Sequence, residues 1–350
     1  MAEDAFAPAA REVLKSFPVE PENLELVSLA ENVTYRVVDR RDGVAYALRL
    51  HRPWYHTIDE LISERAWVRA LAGAGIAVQM PVRTLDGQDY AAVTIPGSGE
   101  KRFAGLARWT TGRVLAAVLR ETTDTQVAER HFAQLGALTA SLHEQAATWR
   151  PPTAFARKAL DADGFMGDAP HWGPFWDHEG LSAAERRLML DMRGRLHAAL
   201  SRLDRQPAVW SMIHADMHPG NVLVDDGGLT VIDFDDAAWG WHAYDIAVAL
   251  VHQHGAELAA FQRAYVTGYR SVRPISDQTL MLLPMFRLVR GLAQIGWYHQ
   301  RPELNRMDRF EEVKAAVLEQ CLSIGRMLWS SRSGICGGGA PPTAGPPPAP

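Results

Sequence analysis

The stretch "HADMHPGN", residues 214–221, sets two histidines, an aspartate and an asparagine between apolar "AVWSMI" and "VLV". Three readings compete for it. His214, Asp216 and His218 alternate, so on a strand they would share one face and offer nitrogen and oxygen ligands to zinc. A hydrolytic zinc site needs further ligands, however, and no second compact His/Asp cluster stands in strand-end context; Pro219-Gly220 also breaks such a strand at once. A turn whose histidines and asparagine satisfy backbone groups is the plainer alternative.

Spacing favours a third reading. His214-x-Asp216 followed by Asn221 matches the H-x-D-x-x-x-x-N pattern of kinase catalytic loops. Downstream, "NVLV", "DDGG" and "LTVID" read as a hairpin that brings Asn221 beside Asp233, the first residue of "DFDD". Two oxygen ligands meeting at strand ends suit Mg²⁺, which takes one or two protein oxygens and fills its shell with phosphate and water. A base, an asparagine and a metal-binding aspartate in this order describe a phosphotransferase site.

Outward from that site the chain divides in character. From about residue 24 to 106 it reads as five strands with short connections, hence an antiparallel sheet. Asp42-Gly43 and Asp86-Gly87 mark turns within it. One helix interrupts the strands: Thr57 and Glu60 form a capping box, Leu61, Trp67, Val68 and Leu71 follow at helical spacing, and "AGAG" ends the run. Beyond about residue 110 helices dominate, at 131–146, 181–204, 243–270, 279–298 and 308–330, with an aromatic loop "HWGPFWDH" at 171–178. The expected fold is α+β in two lobes: a small five-stranded antiparallel lobe with one helix over residues 1–106, and a larger, mainly helical lobe over 107–333. Residues 334–350, rich in Gly and Pro, are expected to form a disordered tail.

Composition removes several function classes. A net charge of −5 over 350 residues gives no reason to expect nucleic acid or an anionic membrane as partner. Cys321 and Cys336 are the only cysteines, too few for a disulfide framework. Neither a signal-peptide core nor an apolar run long enough to span a bilayer is present, so a soluble, cytoplasmic protein is expected.

The segment "HADMHPGNVLVDDGGLTVIDFDDAAWGWHAYDIAVAL" resembles the aminoglycoside phosphotransferase/choline kinase family, which has the protein-kinase-like fold. The resemblance runs from "SLAENVTYRV" to about residue 300, and "FRLVRGLAQIGWYHQRP" looks most like the stress response kinase A and type II homoserine kinase branch. It implies ATP and Mg²⁺ as cofactors. Asp216 would orient the acceptor hydroxyl and take its proton, Asn221 and Asp233 would hold Mg²⁺, His214 would support the loop, and Asp245 in "AYDIA" would brace it. The acceptor would be a hydroxyl of a small molecule: an amino alcohol, or one like homoserine or an aminoglycoside. A Ser/Thr protein kinase like stress response kinase A is the alternative, and a nucleotide-binding regulator without turnover is a further one.

The small lobe supplies the nucleotide candidates. In "YALRL", alternation puts Ala47 and Arg49 on one face, a small residue for adenine packing beside a cation for phosphate. Kinases generally carry lysine there, but no lysine lies between Lys15 and Lys101, so the role falls to Arg49. Glu64 is the expected partner of Arg49, because Glu60 is already engaged in the capping box. In place of a glycine-rich phosphate loop stands "SLAENVTYRV", a turn containing Asn32. Trp109, in "RWTTGR" at the lobe junction, serves either the adenine or the core. For the acceptor, two linings compete: His171, Trp172, Phe175, Trp176 and His178, or Arg287, Arg290, Trp297 and Tyr298. The first suits a quaternary amine and the second a carboxylate.

Overall fold

The computed structural model describes residues 5–30, 32–304 and 307–330; the expected tail at 334–350 lies outside the described residues. The first part of the chain runs α1 (Ala7–Leu14), β1 (Pro21–Leu29), β2 (Val33–Asp39), β3 (Ala45–Leu50), α2 (Ile58–Gly73), β4 (Pro81–Val82), β5 (Ala91–Thr94) and β6 (Lys101–Arg108). Its strands form one antiparallel sheet of order β1-β2-β3-β6-β4, with β5 also paired to β6. Six strands therefore stand where five were expected. The extra one, β1, is an edge strand exposed along almost its whole length, so it buries no face and shows no hydrophobic alternation.

On β3 the alternation is strict. Tyr46, Leu48 and Leu50 enter a core that α1 covers with Ala10, Val13 and Leu14. Ala47 and Arg49 face the opposite way. The register sets Thr34 of β2 and Gly105 of β6 beside Arg49, and Ala107 beside Ala47, so one sheet face forms a roof over the space below. The Thr57–Glu60 capping box forms as expected. Trp67, Val68 and Leu71 of α2 join the core of the larger lobe, where the Trp67 indole donates to Gln145 at 3.1 Å.

The larger part contains β7 (Arg113–Val114), α3 (Leu115–Glu121), α4 (Thr125–Thr148), α5 (Ala162–Met166), α6 (Ala183–Leu200), β8 (Trp210–Ile213), β9 (Val222–Asp225), β10 (Gly228–Val231), β11 (Ala238–Trp241), α7 (His242–Ala249), α8 (Gly255–Arg270), α9 (Asp277–Leu280), α10 (Leu283–His299) and α11 (Met307–Ser330). Two expected helices are each broken in two. The run 243–270 breaks before Gly255, which sits at φ 55°, and 279–298 breaks before Pro284, which lacks the N–H that an unbroken helix requires.

Helices α4 and α8 pack backbone to backbone. A Cβ on Gly136 would lie 2.0 Å from the Tyr265 carbonyl oxygen, and one on Gly268 would lie 1.8 Å from that of Ala133. Because these neighbours are main-chain atoms, no rotamer change can absorb the clash. Gly268→Ala is expected to cost at least about 3 kcal/mol, the upper range for overpacking, and to lower the midpoint of urea or thermal unfolding. An unchanged midpoint would show that the two helices can slide apart freely.

Candidate active site

The loop after β8 is held from beneath by one fully buried carboxylate. Asp245, on α7, accepts the backbone N–H of His214 at 2.9 Å and of Ala215 at 2.7 Å, and meets His143 Nε2 of α4 at 3.1 Å. Burial pushes the Asp245 carboxyl up to about 6, opposed by His214 and the two amides. Ala215 sits at φ 65°, a left-handed conformation costly for a residue with a Cβ, and Asp245 pins the amide on its N-terminal side. His214 adds a second brace. Its Nε2 meets the Ile232 carbonyl at 3.0 Å, and its Nδ1 accepts the Asp216 N–H at 3.3 Å.

The loop thus aims Asp216 at the crevice between the lobes. Arg290 of α10 donates to Asp216 Oδ1 at 2.5 Å, while the Asn221 amide donates to Oδ2 at 2.8 Å and His218 Nε2 lies 3.3 Å from the same oxygen. Burial opposes ionisation here, yet the Arg290 charge, with the His218 ring beside the same carboxylate, holds the Asp216 carboxyl well below the usual carboxylate range. Arg290 was weighed as an acceptor ligand; its first partner is Asp216.

In the β9–β10 hairpin Val222 pairs with Val231, and the Ile232 N–H reaches the Asn221 carbonyl at 3.0 Å, which sets Asn221 next to Asp233. Asp233 also has a left-handed backbone, φ 63°. Among the described residues, no group of three or more His, Cys, Asp or Glu side chains is arranged to hold a metal, and the zinc reading finds no support. A magnesium ion needs fewer protein ligands. Asn221 spends its NH₂ on Asp216 and leaves its amide oxygen without a hydrogen bond among the described residues, while the Asp233 side chain is 38% exposed. These two hard oxygens fit a phosphate-bound Mg²⁺.

Two cavities meet at Asp233. The first, about 380 Å³, lies under the sheet roof and is lined by Val27, Thr34, Ala47, Arg49, Ala107 and Trp109 above and by Leu223, Ile232 and Phe234 below. Trp109 is half-buried, with the Arg36 guanidinium 5.7 Å from its ring. Arg49 projects into this cavity, but its ion pair is not the expected one. It donates to Asp233 Oδ1 at 2.7 Å, whereas Glu64 lines the cavity and its buried Oε2 has no hydrogen-bond partner among the described residues. Asp233 lies directly below the roof across the crevice, a proximity that helix phase alone does not disclose.

The second cavity, about 310 Å³, opens on the far side of Asp233 and Asp216. Its walls include Asn32, Trp172, Asp235, Asp236, Arg290, Trp297 and Tyr298. Asn32, expected at the phosphates, instead donates to Asp235 at 3.2 Å and lines this cavity. The aromatic loop and the late helix both contribute, so the two expected linings are one. Phe175 is core, Trp176 lies 4.3 Å from the Arg193 guanidinium, His178 stacks on Phe310 at 3.7 Å, and Arg287 donates to the Gln253 carbonyl. Two features escaped the sequence reading. Asp236 is a cavity wall, and burial together with the Asp216 charge pushes its carboxyl up to about 6. Tyr55, 181 residues away, donates to it.

A cleft roofed by a sheet with a cation projecting into it, a braced aspartate and a second cavity are the arrangement of a kinase-type phosphotransferase. The chain belongs to the phosphotransferase enzyme family, which it matches over residues 24–275. It is similar to amicoumacin kinase of Bacillus subtilis, 25% identical over 300 residues that cover 81% of this chain and 82% of that one. Homoserine kinase of Rhodospirillum rubrum is 35% identical over 177 residues, about half of each chain (47% and 49%). Among solved structures, a microcompartment-associated aminopropanol kinase superposes with a TM-score of 0.78 at 30% identity, covering 93% of this chain and 98% of its own. An amicoumacin kinase solved with AMP-PNP and Ca²⁺ shares the fold, with a TM-score of 0.72 at 22% identity over 90% of this chain and 94% of its own. Among the described residues no helix is long and apolar enough to cross a membrane.

Proposed function

We propose that this phosphotransferase moves the γ-phosphoryl group of ATP to the hydroxyl of a small amine-bearing alcohol. The observation that carries this reading is the charge of the second cavity. Four carboxylates, Asp216, Asp233, Asp235 and Asp236, stand in its walls against two paired guanidiniums, Arg290 on Asp216 and Arg49 on Asp233, and so leave an excess of negative charge. Such a site attracts a cation and repels a free carboxylate. Trp172, Trp297 and Tyr298 offer ring faces for the same ammonium group or its carbon skeleton. The relative named for an amino alcohol supports the class.

On this reading Ala47 and Trp109 hold the base and Arg49 meets the phosphates. Asn221 and Asp233 would hold the Mg²⁺, which would supply charge neutralisation on the phosphate oxygens. Asp216 orients the acceptor hydroxyl in line with the phosphorus. A carboxylate held so firmly in its ionised form is a weak base, which suits a loose transition state in which the hydroxyl proton departs late.

The test is a panel of amino alcohols, homoserine, aminoglycosides and a protein mixture, read by ADP release. Amino alcohols should accelerate it, and acceleration by the protein mixture alone would overturn the proposal. The pH dependence follows from Asp236. Its carboxylate is needed to bind the ammonium group and is lost as pH falls through about 6, so acceptor kcat/KM should decline below that pH while kcat at saturation stays nearly level. Asp236→Asn should remove this limb and raise acceptor KM about a hundredfold, within the range for breaking a buried charge pair. A flat wild-type KM from pH 5 to 8 would count against Asp236 as the ammonium ligand.

A further inference from the structure

We propose that Tyr55, on the loop between β3 and α2, is a positioning residue for the acceptor: it fixes two walls of the acceptor cavity from the nucleotide side of the crevice. The assignment rests on the amine-alcohol reading of that cavity. Tyr55 does not line the cavity. Its hydroxyl donates to Asp236 Oδ1 and lies 3.4 Å from His171 Nε2, so one phenol bridges the two. His171 in turn sets its ring against Trp172, with centroids 4.8 Å apart at 73°. Asp236 and Trp172 both face the cavity.

The loop is shaped to deliver this side chain. Trp54 adopts a left-handed φ of 72° and stands 97% exposed, a conformation and an exposure that both cost free energy, while the next residue turns inward. Around the Tyr55 ring lie the Arg52 guanidinium at 3.7 Å, the Lys158 ammonium at 5.5 Å and the Arg301 guanidinium at 5.6 Å. Lys158 also donates to the Tyr55 carbonyl at 3.3 Å, so side chain and backbone are both held. The contact belongs to a series. Each acidic side chain of "DFDD" is met from the small lobe or its connection to α2: Asp233 by Arg49, Asp235 by Asn32 and His51, and Asp236 by Tyr55. Of the three, Asp236 is the carboxylate to which the ammonium group is assigned, so Tyr55 links the seating of the small lobe to acceptor affinity.

The experiment is steady-state kinetics of Tyr55→Phe, Asp236→Asn and the double variant, using the amino alcohol that wild type turns over best. Tyr55→Phe keeps the ring and its cations and deletes only the hydroxyl. Acceptor KM should rise about tenfold, as for a lost hydrogen bond to a charged group, with kcat and the KM for ATP within about twofold of wild type. In the Asp236→Asn background the same substitution should add less than about twofold, because the two act through one contact. Tyr55→Phe that lowers kcat and raises both KM values together, that leaves acceptor KM unchanged, or that adds fully to Asp236→Asn would overturn the proposal. If wild type phosphorylates no amino alcohol, the acceptor reading fails first and this assignment with it. Failure of the Tyr55 assignment alone appears as normal wild-type turnover that the variant leaves untouched.

Discussion

Asp216→Asn is expected to lower kcat by about a thousandfold, equivalent to roughly 4 kcal/mol of transition-state stabilisation, and to change the two KM values little. The asparagine has the same shape, so the loop is not emptied of atoms, but it replaces one carboxylate oxygen by an NH₂. That group must face either the Arg290 guanidinium or the Asn221 amide, both of them donors in the native arrangement. On the proposed reading, the acceptor hydroxyl would then lose the anion that aligns it and receives its proton. A secondary cost falls on Arg290, whose side chain is 11% exposed and loses its paired charge, so unfolding should also come somewhat earlier. Stability and rate can be separated by measuring kcat well below the unfolding midpoint and counting folded protein by nucleotide binding. A variant that binds MgATP normally and retains more than about a tenth of the wild-type kcat would remove Asp216 from the reaction.

The parts of this site legible in the sequence are those whose spacing is fixed by local geometry. A hairpin register brings Asn221 to Asp233, strand alternation puts Ala47 and Arg49 on one face, and a capping box starts α2. What could not be read was contact across the crevice. Arg49 reaches Asp233 over 184 residues of chain, Arg290 reaches Asp216 over 74, and Tyr55 reaches Asp236 over 181. Helical phase turns Glu64 toward the sheet side of the cleft, where it lines the cavity under the roof, but phase carries no information about which carboxylate lies closer to the cation. Asn32 shows the same limit. Its turn was recognised, yet which of two cavities the turn overhangs depends on how the lobes seat. In the fold, β1 is not legible because an exposed edge strand carries no hydrophobic period, and the helix breaks at Gly255 and Pro284 lie between segments that share one helical spacing.

Asp245→Ala is expected to damage folding and catalysis together. The carboxylate accepts the amides of His214 and Ala215, and its removal leaves both N–H groups buried without a partner, along with His143 Nε2. Each orphaned buried donor costs about 1–3 kcal/mol, so the total should reach at least about 3 kcal/mol, a large share of the 5–15 kcal/mol typical of a folded domain. The same bonds hold Ala215 at φ 65° against its own preference. Once released, Ala215 should relax out of the left-handed region, and Asp216, the next residue, would swing away from the acceptor. A kcat loss greater than about a hundredfold is therefore expected even for the folded fraction, since misplacement by an ångström is enough for that. Asp245→Asn should fall between: its one amide oxygen can accept a single N–H while its NH₂ opposes the other. The ordering wild type, Asn, Ala should hold for both unfolding midpoint and kcat. If the alanine variant unfolds early yet its folded fraction turns over at the native rate, the catalytic loop holds its own shape and Asp245 serves stability alone.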